Sequence, residues 1–522
     1  MSDQDSARLP LTAAQESLWF AHHLRPLDPA FIIAEYVDIE GELDLGTLRR
    51  SIALVSREIE ALRTTIPDAP SAGAAGQRVH SGLGLDVSLV DMSASANGEA
   101  EALRAMEHRL ATPVDVTRGP VTALTLYRLS HSRHLLYLRT HHLVLDGYGA
   151  AVALGRIAET YGLLAAGKDV AADPLPLRPL VSESREYARS AECVEDGAYW
   201  RDQLEGAPAA ERLTDATVPP GSEVLRRSVF LDEARWRRLR DGARRGRVAW
   251  PALFVAGTAA YTHRMRGAQD LLLGMPVTGR RSRTARRTPG MMSQIVPLRL
   301  RMNPSVSVQD LLRQVTIAMR GALRHQRYPV EELRRERGLA GGDALVGPAV
   351  NVLAFDENLR FGPATGTLHN LSLGPVEDLT LAVHPAAGGA GARVDVLANA
   401  ARYDEASATG HLERILRLTE ALVADLDRPL SALEFTGPDE RDRMLAMGGS
   451  GPEPSPGPVV PGDADADDVP TLPEALRRLA RETPDAPALE DGARTLTFAE
   501  LDRAVDLAAS ALRADGAGPG TT

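Results

Sequence analysis

Residues 139–150 read RTHHLVLDGYGA. Two adjacent histidines, His141 and His142, precede an aspartate and a glycine, Asp146 and Gly147. An imidazole that is neutral near pH 7 can take a proton from an attacking amine or hydroxyl. Catalysis by such a pair would be acyl transfer. Asp146 is close enough in sequence to fold back towards the histidines, where it would hold the loop rather than titrate. A buried carboxylate needs a cationic partner. Arg280, at the end of LLLGMPVTGR, is the candidate. Gly147 permits a turn that a β-carbon would obstruct.

Two other readings compete. An isolated histidine pair is more often a hydrogen-bonded structural feature than a catalytic one. Metal binding fits poorly, because adjacent histidines on a strand point to opposite faces. No further carboxylate–histidine cluster lies nearby in the sequence, so no metal is expected. The HHxxxDG spacing is more specific than a histidine pair alone. On the residues themselves, structural support and catalysis both stand.

The elements that must position this loop are legible. HLLYLRT supplies a strand ending at the histidines. After Gly147 a helix begins, with Leu154, Ile157, Ala158 and Tyr161 at helical steps. His142 therefore sits just past a strand end, where a side chain can face a cleft. TALTLYRL and HLLYLRT, separated by SHSR, read as a β-hairpin across Val121–Arg139. Residues 44–62 read as an amphipathic helix through Leu48, Ile52, Val55 and Ile59, and residues 408–425 as another through Leu412, Ile415, Leu416 and Leu422.

Composition bounds the rest. The chain has 522 residues, 44% apolar and 25% charged, which suits two to four globular domains. A formal net charge of -11 lacks the basic footprint of a nucleic-acid binder. The single cysteine, Cys193, excludes an internal disulfide framework and a cysteine-based zinc site. The opening residues do not read as a signal peptide, and no apolar run approaches the ~20 residues that span a bilayer. No membrane contact and a cytoplasmic location are the default expectations.

Residues 448–470, GGSGPEPSPGPVVPGDADADDVP, read as a solvated linker rich in Gly, Pro and acid. Structure is expected to resume at Thr471, in a stretch of ~50 residues that is small for an independent domain. It reads as the first part of something larger.

Several stretches together resemble the condensation domains of nonribosomal peptide synthetases. LTAAQESLWF (11–20) and EIEALRTTI (58–66) look like that family's first two motifs. HHLVLDGYG is similar to its active-site motif, shared with chloramphenicol acetyltransferase. AYWRDQL (198–204) resembles the segment joining the halves. LLLGMPVTGR with PGMMSQIVPLRLR (289–301) resembles the fifth motif, and HQRYPVEEL (325–333) the sixth. GPAVNVLAFDENLRFG with LHNLSLGPVEDL is closest to the opening condensation domains of catechol-siderophore synthetases of the enterobactin and bacillibactin type. The resemblance covers residues 9–440 in order. LTFAEL (496–501) looks like the first motif of an adenylation domain, cut before its phosphate loop, substrate pocket and catalytic lysine.

The resemblance implies an α/β (α+β) fold: two chloramphenicol-acetyltransferase-like lobes in a V around a central tunnel. The implied division is 1–180 and 181–445 for the lobes, 446–470 for the linker and 471–522 for the adenylation start. Late segments cross between the lobes in this family; 352–375 is the expected latch and 280–297 the expected floor.

The implied reaction joins two substrates carried on 4′-phosphopantetheine, with no cofactor held by this chain. A donor acyl thioester, aryl or aminoacyl, would come from an upstream carrier protein in trans. The acceptor aminoacyl thioester would sit on a downstream carrier domain. His142 is then the central residue, as a base or a positioning group. His141 supports the loop, and Asp146 pairs structurally with Arg280. The Gly147 N–H would face the oxyanion.

Ser293 and Gln294 stand in the fifth motif where many relatives carry asparagine, which makes them tunnel candidates. Trp19 is another, although core packing is its plainer reading. In RRSRTARR (280–287), Arg283 and Arg286 are candidates for carrier docking, against the default of a solvated loop. An epimerisation domain shares HHxxxDG but normally follows a carrier domain. A non-catalytic recruitment platform of the same fold would be expected to have a degraded motif.

Overall fold

The computed structural model describes residues 7–69, 75–339, 343–353, 358–437, 440–443, 446, 472–491 and 494–514. The chain divides into two compact units, Met1–Pro438 and Asp439–Thr522. The expected linker, apart from residue 446, lies outside the described residues.

In the first unit, β1 (Ala7–Pro10) leads to α1 (Ala13–Leu24), β2 (Ile32–Glu40) and α2 (Leu45–Glu58). Three strands follow, β3 (Thr64–Thr65), β4 (Gly76–Val79) and β5 (Val87–Asp91), then α3 (Gly98–Leu110). The hairpin β6 (Thr122–Arg128) and β7 (Arg133–His141) runs into α4 (Gly147–Ala165). Helices α5 (Arg178–Ala188) and α6 (Ala191–Leu204) carry the chain to β8 (Val224–Asp232), α7 (Glu233–Arg245) and α8 (Pro251–Arg266). Next come β9 (Asp270–Val277), α9 (Arg283–Arg287), β10 (Gln294–Arg301), α10 (Val308–Arg324) and α11 (Val330–Glu336). The unit closes with β11 (Ala349–Val352), β12 (Asn358–Phe361), β13 (Ala364–Leu373), β14 (Leu379–Pro385), β15 (Gly391–Asn399) and α12 (Glu405–Ala424).

Local chemistry sets many boundaries. Thr12 and Gln15 form a reciprocal capping box at the start of α1. Asp44 caps α2 through the Thr47 N–H, and Leu48, Ile52 and Val55 bury its inner face. The helix expected to reach residue 62 stops at Glu58, because Ile59 turns extended; a short 3-10 turn, Glu60–Arg63, completes the stretch. Helix α12 starts at Glu405, ahead of the expected 408, where Asp404 supplies the cap.

Among the described residues, two six-stranded mixed sheets dominate the unit. The first has the order β12-β13-β2-β7-β6-β5, the second β10-β9-β11-β14-β15-β8. Each sheet belongs to its own apolar core, one holding Leu48, Leu138 and Leu154, the other Phe254, Leu298 and Ile415. Strands β12 and β13 come from late in the chain, yet β13 pairs antiparallel with β2, from Thr365 opposite Glu40 to Leu373 opposite Ile33. They fall within the stretch expected as a latch. On its other edge β2 pairs with β7, placing Ile32 opposite His141 and Glu35 opposite Leu138.

In the second unit, α13 (Leu472–Glu482) precedes the antiparallel pair β16 (Pro487–Asp491) and β17 (Arg494–Thr497), followed by α14 (Phe498–Ala514). Thr497 and Glu500 cap the start of α14 reciprocally. No helix of the described residues is long and apolar enough to cross a membrane.

Candidate active site

The site is the loop between β7 and α4. The His142 N–H donates to the Phe31 carbonyl at 2.8 Å, extending the β2–β7 pairing one residue past the strand. The ring then leaves the sheet. Its Nδ1 is buried with no hydrogen-bond partner of normal geometry among the described residues. Burial lowers the His142 pKa; Asp146 and the backbone carbonyls of His142 and Leu145 hold part of that fall back. The imidazole is therefore neutral near pH 7 and available as a proton acceptor. A β-carbon built on Gly374 would lie 2.6 Å from Cδ2 of His142 and 3.2 Å from Nε2.

His141 points elsewhere. Its Nδ1 accepts the Leu143 N–H at 3.1 Å, so the neutral ring carries its proton on Nε2. His22 packs edge-on at 4.8 Å and Phe31 stacks at 5.9 Å between ring centroids. Burial first, then His22 and His142, push its pKa well down. This ring anchors the loop.

Asp146 ties the loop to a distant segment. Its carboxylate caps α4 through the Gly149 N–H at 2.8 Å. It also accepts the Met292 and Ser293 N–H groups, each at 3.0 Å. Arg280 completes the shell as a bidentate partner, Nη1 to Oδ2 at 2.6 Å and Nη2 to Oδ1 at 3.0 Å. Both side chains are almost wholly buried, 1% and 0% exposed. The remaining guanidinium protons go to the carbonyls of Ala285, Thr278 and Gly290. The guanidinium also lies over the Tyr148 ring at 4.8 Å. A charge pair this deep persists because every donor has an acceptor.

The first motif serves the same loop. Gln15 Nε2 donates to the Leu143 carbonyl at 2.9 Å, and Thr12 Oγ1 to the Met291 carbonyl at 3.0 Å. Neither role was visible in the sequence. Two further neighbours were also missed. Gly374 follows β13 with φ +93, a conformation that suits glycine, and its lack of a β-carbon admits the His142 ring. Glu35 is buried on β2, and the expectation that a β-carbon at Gly147 would obstruct the turn is not met: Gly147 opens α4 without a positive φ, and its β-carbon would meet only Glu35 Oε1, at 3.7 Å. Burial pushes the Glu35 carboxyl up to about 8, with Asp146 adding like-charge repulsion. A single acid in the apolar strand FIIAEYV was the available signal.

The other sequence candidates lie as follows. Trp19 is 6% exposed, packs in the first core and stacks on His23 at 4.9 Å. Gln294 spends its amide on backbone: Nε2 donates to the Gln326 and Tyr328 carbonyls, and Oε1 accepts the Val330 N–H. Ser293 joins the site through its N–H to Asp146. Arg283 and Arg286 are exposed on α9, with Arg286 folded back onto the Ser282 and Arg281 carbonyls. In the same run Arg281 pairs with Glu192 and Arg287 with Asp173. Among the described residues no group of three His, Cys, Asp or Glu is placed to hold a metal ion.

A buried histidine just past a strand end, on a loop whose far end is fixed by a buried aspartate–arginine pair at a helix start, is an arrangement able to support acyl transfer. The chain belongs to the condensation-domain family, which it matches over residues 5–445. These domains of nonribosomal peptide synthetases form amide bonds between substrates held on carrier-protein phosphopantetheine. The chain is 34% identical over 503 residues to an isonitrile lipopeptide synthase of Streptomyces coeruleorubidus, covering 95% of this chain and 32% of that one. It is 28% identical to enterobactin synthase component F of Escherichia coli K12, covering 99% of this chain and 39% of that one. It spans from about a fifth to two-fifths of the length of the curated relatives it matches. Among solved structures, it resembles a mutant of the starter condensation domain of rhizomide synthetase in complex with C8-CoA and Leu-SNAC. That match has a TM-score of 0.77 and 32% identity, covering 82% of this chain and 98% of the other. The mixed α/β architecture is thus the chloramphenicol-acetyltransferase-like fold of condensation domains.

Proposed function

We propose that this chain joins a donor acyl thioester, supplied in trans by an upstream carrier protein, to the α-amine of an aminoacyl thioester on a downstream carrier domain. The observation that carries this reading is the buried His142 ring, seated against Gly374 at the head of a loop whose far end, Asp146, is fixed by Arg280. An α-amine has a pKa of roughly 7.7–8.0, so a useful fraction is neutral near pH 7. The amine nitrogen attacks the donor carbonyl and a C–N bond forms. His142 accepts a proton from the nitrogen. The tetrahedral oxyanion lies against the Gly147 N–H, the first amide of α4, at the positive end of the helix dipole. The C–S bond then breaks, and the proton passes to the departing thiolate. The amide product stays on the acceptor arm.

The donor is a non-peptidyl acyl group. Two observations support this: the likeness to a starter condensation domain solved with C8-CoA and Leu-SNAC, and the likeness to enterobactin synthase component F. Fatty acyl, aryl and aminoacyl donors all belong to this class. Residues 1–180 and 181–445 act as the two lobes, 446–470 as a linker, and 471–522 as the start of an adenylation domain. Trp19, Ser293 and Gln294 serve the walls rather than the reacting atoms. Arg283 and Arg286 dock the phosphorylated arm of a carrier.

The test is a reconstituted condensation assay. The protein is supplied with donor carriers bearing aryl, fatty acyl or aminoacyl groups and with a panel of aminoacyl-loaded acceptor carriers. Amide product is read by intact-protein mass spectrometry. Product that disappears with His142→Ala is the expected result. Silence with every donor from a folded protein would replace this reading with a recruitment platform, and inversion of an aminoacyl centre without amide would replace it with epimerisation.

A further inference from the structure

Glu35 is a buried acid beside Gly147 that the mechanism above leaves unused. It lies on the face of β2 that carries Ile33, Val37 and Ile39, in the core shared with α2 and α4. Leu138 of β7 stands directly opposite on one edge and Asn370 of β13 on the other. Glu35 is 4% exposed, and Oε2 is fully enclosed without a hydrogen bond among the described residues. No described residue hydrogen-bonds Oε1 either, and it faces Gly147. Asn370 Oδ1, across the strand pair, is likewise enclosed and without a partner.

A carboxyl kept only for the fold would be hydrogen-bonded, since an unsatisfied buried polar group is destabilising. A leucine here would pack with its neighbours at no such penalty. The space beside Gly147 is open: a β-carbon on that glycine would meet one atom within 4 Å, the Glu35 Oε1 at 3.7 Å. Gly147 also carries the N–H assigned to the oxyanion. A donor whose carbonyl oxygen sits on that N–H directs its acyl chain past the same glycine.

We propose that Glu35 is a specificity-determining residue, hydrogen-bonding a hydroxyl or amino group close to the carbonyl of the donor acyl chain. The inference rests on the reading of His142 and Gly147 as the acyl-transfer site. The raised pKa of the carboxyl agrees with it: a protonated acid both donates to and accepts from a hydroxyl, and a neutral amine would take the proton from it to form an ion pair.

The experiment measures kcat/KM in the condensation assay with matched donors on one carrier: benzoyl against 2-hydroxybenzoyl, hexanoyl against 3-hydroxyhexanoyl, and hexanoyl against 3-aminohexanoyl. Wild type is expected to favour a polar member by about tenfold or more, of the order that one hydrogen bond to a charged or buried group supplies. Glu35→Leu abolishes or reverses that ratio. Glu35→Gln, the isosteric variant, retains a preference for hydroxyl over hydrogen but loses any preference for amine. Thermal unfolding of each variant confirms that ratios are compared between folded proteins. Amide product with ratios the same in wild type and both variants would overturn the role of Glu35 and leave the site reading intact. Ratios that respond only to the acceptor side chain would overturn the assignment to the donor. No amide from any donor would overturn the site reading and this inference with it.

Discussion

Gly374 abuts the imidazole of His142 so closely that its missing β-carbon would stand 2.6 Å from the ring. The glycine, 232 residues beyond the histidine (374 − 142), follows the bulged end of β13 and adopts φ +93. Replacing it therefore has two effects: strain in the backbone and displacement of the ring. We expect Gly374→Ala to cost about 1–3 kcal/mol of stability. A ring moved by an ångström loses about a hundredfold in kcat/KM. Steady-state kinetics and chemical unfolding on one preparation separate the two. Wild-type kinetics in a stable Gly374→Ala protein would remove the contact from the mechanism.

The Asp146–Arg280 pair should behave as one unit. Removing either partner leaves the other charge buried and costs about 3–5 kcal/mol. Arg280→Lys also fails, because one ammonium cannot serve two carboxylate oxygens and three carbonyls together. Asp146→Leu with Arg280→Met is expected to be less destabilised than the sum of the single changes. Urea midpoints for the four proteins of the cycle measure the coupling; additive changes would show the pair to be uncoupled.

The His142 reading has a sign in pH. Its pKa is lowered by burial, so the neutral, proton-accepting form persists below pH 6.5. The acid limb of kcat/KM is expected below that value and absent from the residual activity of His142→Ala, which falls by ~10²–10⁴-fold. The same shift acts on stability. The unfolded chain binds protons more readily than the folded one, so stability falls as pH drops from 6.5 through the lowered pKa. An acid limb at or above 6.5 that survives in the alanine variant would assign the titration to another group.

Glu35 carries the opposite linkage. Its folded pKa of about 8 lies above the ordinary 4.5, so the folded state holds the proton more tightly. Its contribution is fully present below 4.5 and is lost as pH rises through about 8. Glu35→Gln removes the titration, so its stability relative to wild type should increase between pH 5 and pH 9. Urea midpoints at both values decide the matter, and a difference that does not change with pH would mean that the carboxyl is not perturbed.

On α9, reversing Arg283 and Arg286 to Glu should weaken carrier-dependent turnover and flatten its dependence on salt. Turnover of a small thioester donor, which bypasses docking, serves as the control. Unchanged kinetics and salt response with loaded carriers would leave this helix as solvated surface.

Sequence alone went far where the chemistry is local. The hairpin over β6 and β7, the helix after Gly147 and the helices α2 and α12 follow from periodicity. Caps are just as local, since each acts on amides two or three residues away, but the expected start of α12 at 408 overlooks Asp404. The HHxxxDG loop was legible for the same reason. Even Arg280 was reachable, since a buried aspartate demands a cation and one arginine closed a strand of suitable pattern.

The tertiary structure decided what depends on strands far apart in the chain. Only the docking of β13 on β2 brings Gly374 to His142 and Asn370 across from Glu35. Only the loop around Gln326 and Tyr328 takes up the amide of Gln294, and only the first core encloses Trp19. A strand announces which of its faces is apolar. It does not announce whether an acid on that face will find a partner, because the partner comes from whichever segment packs against it.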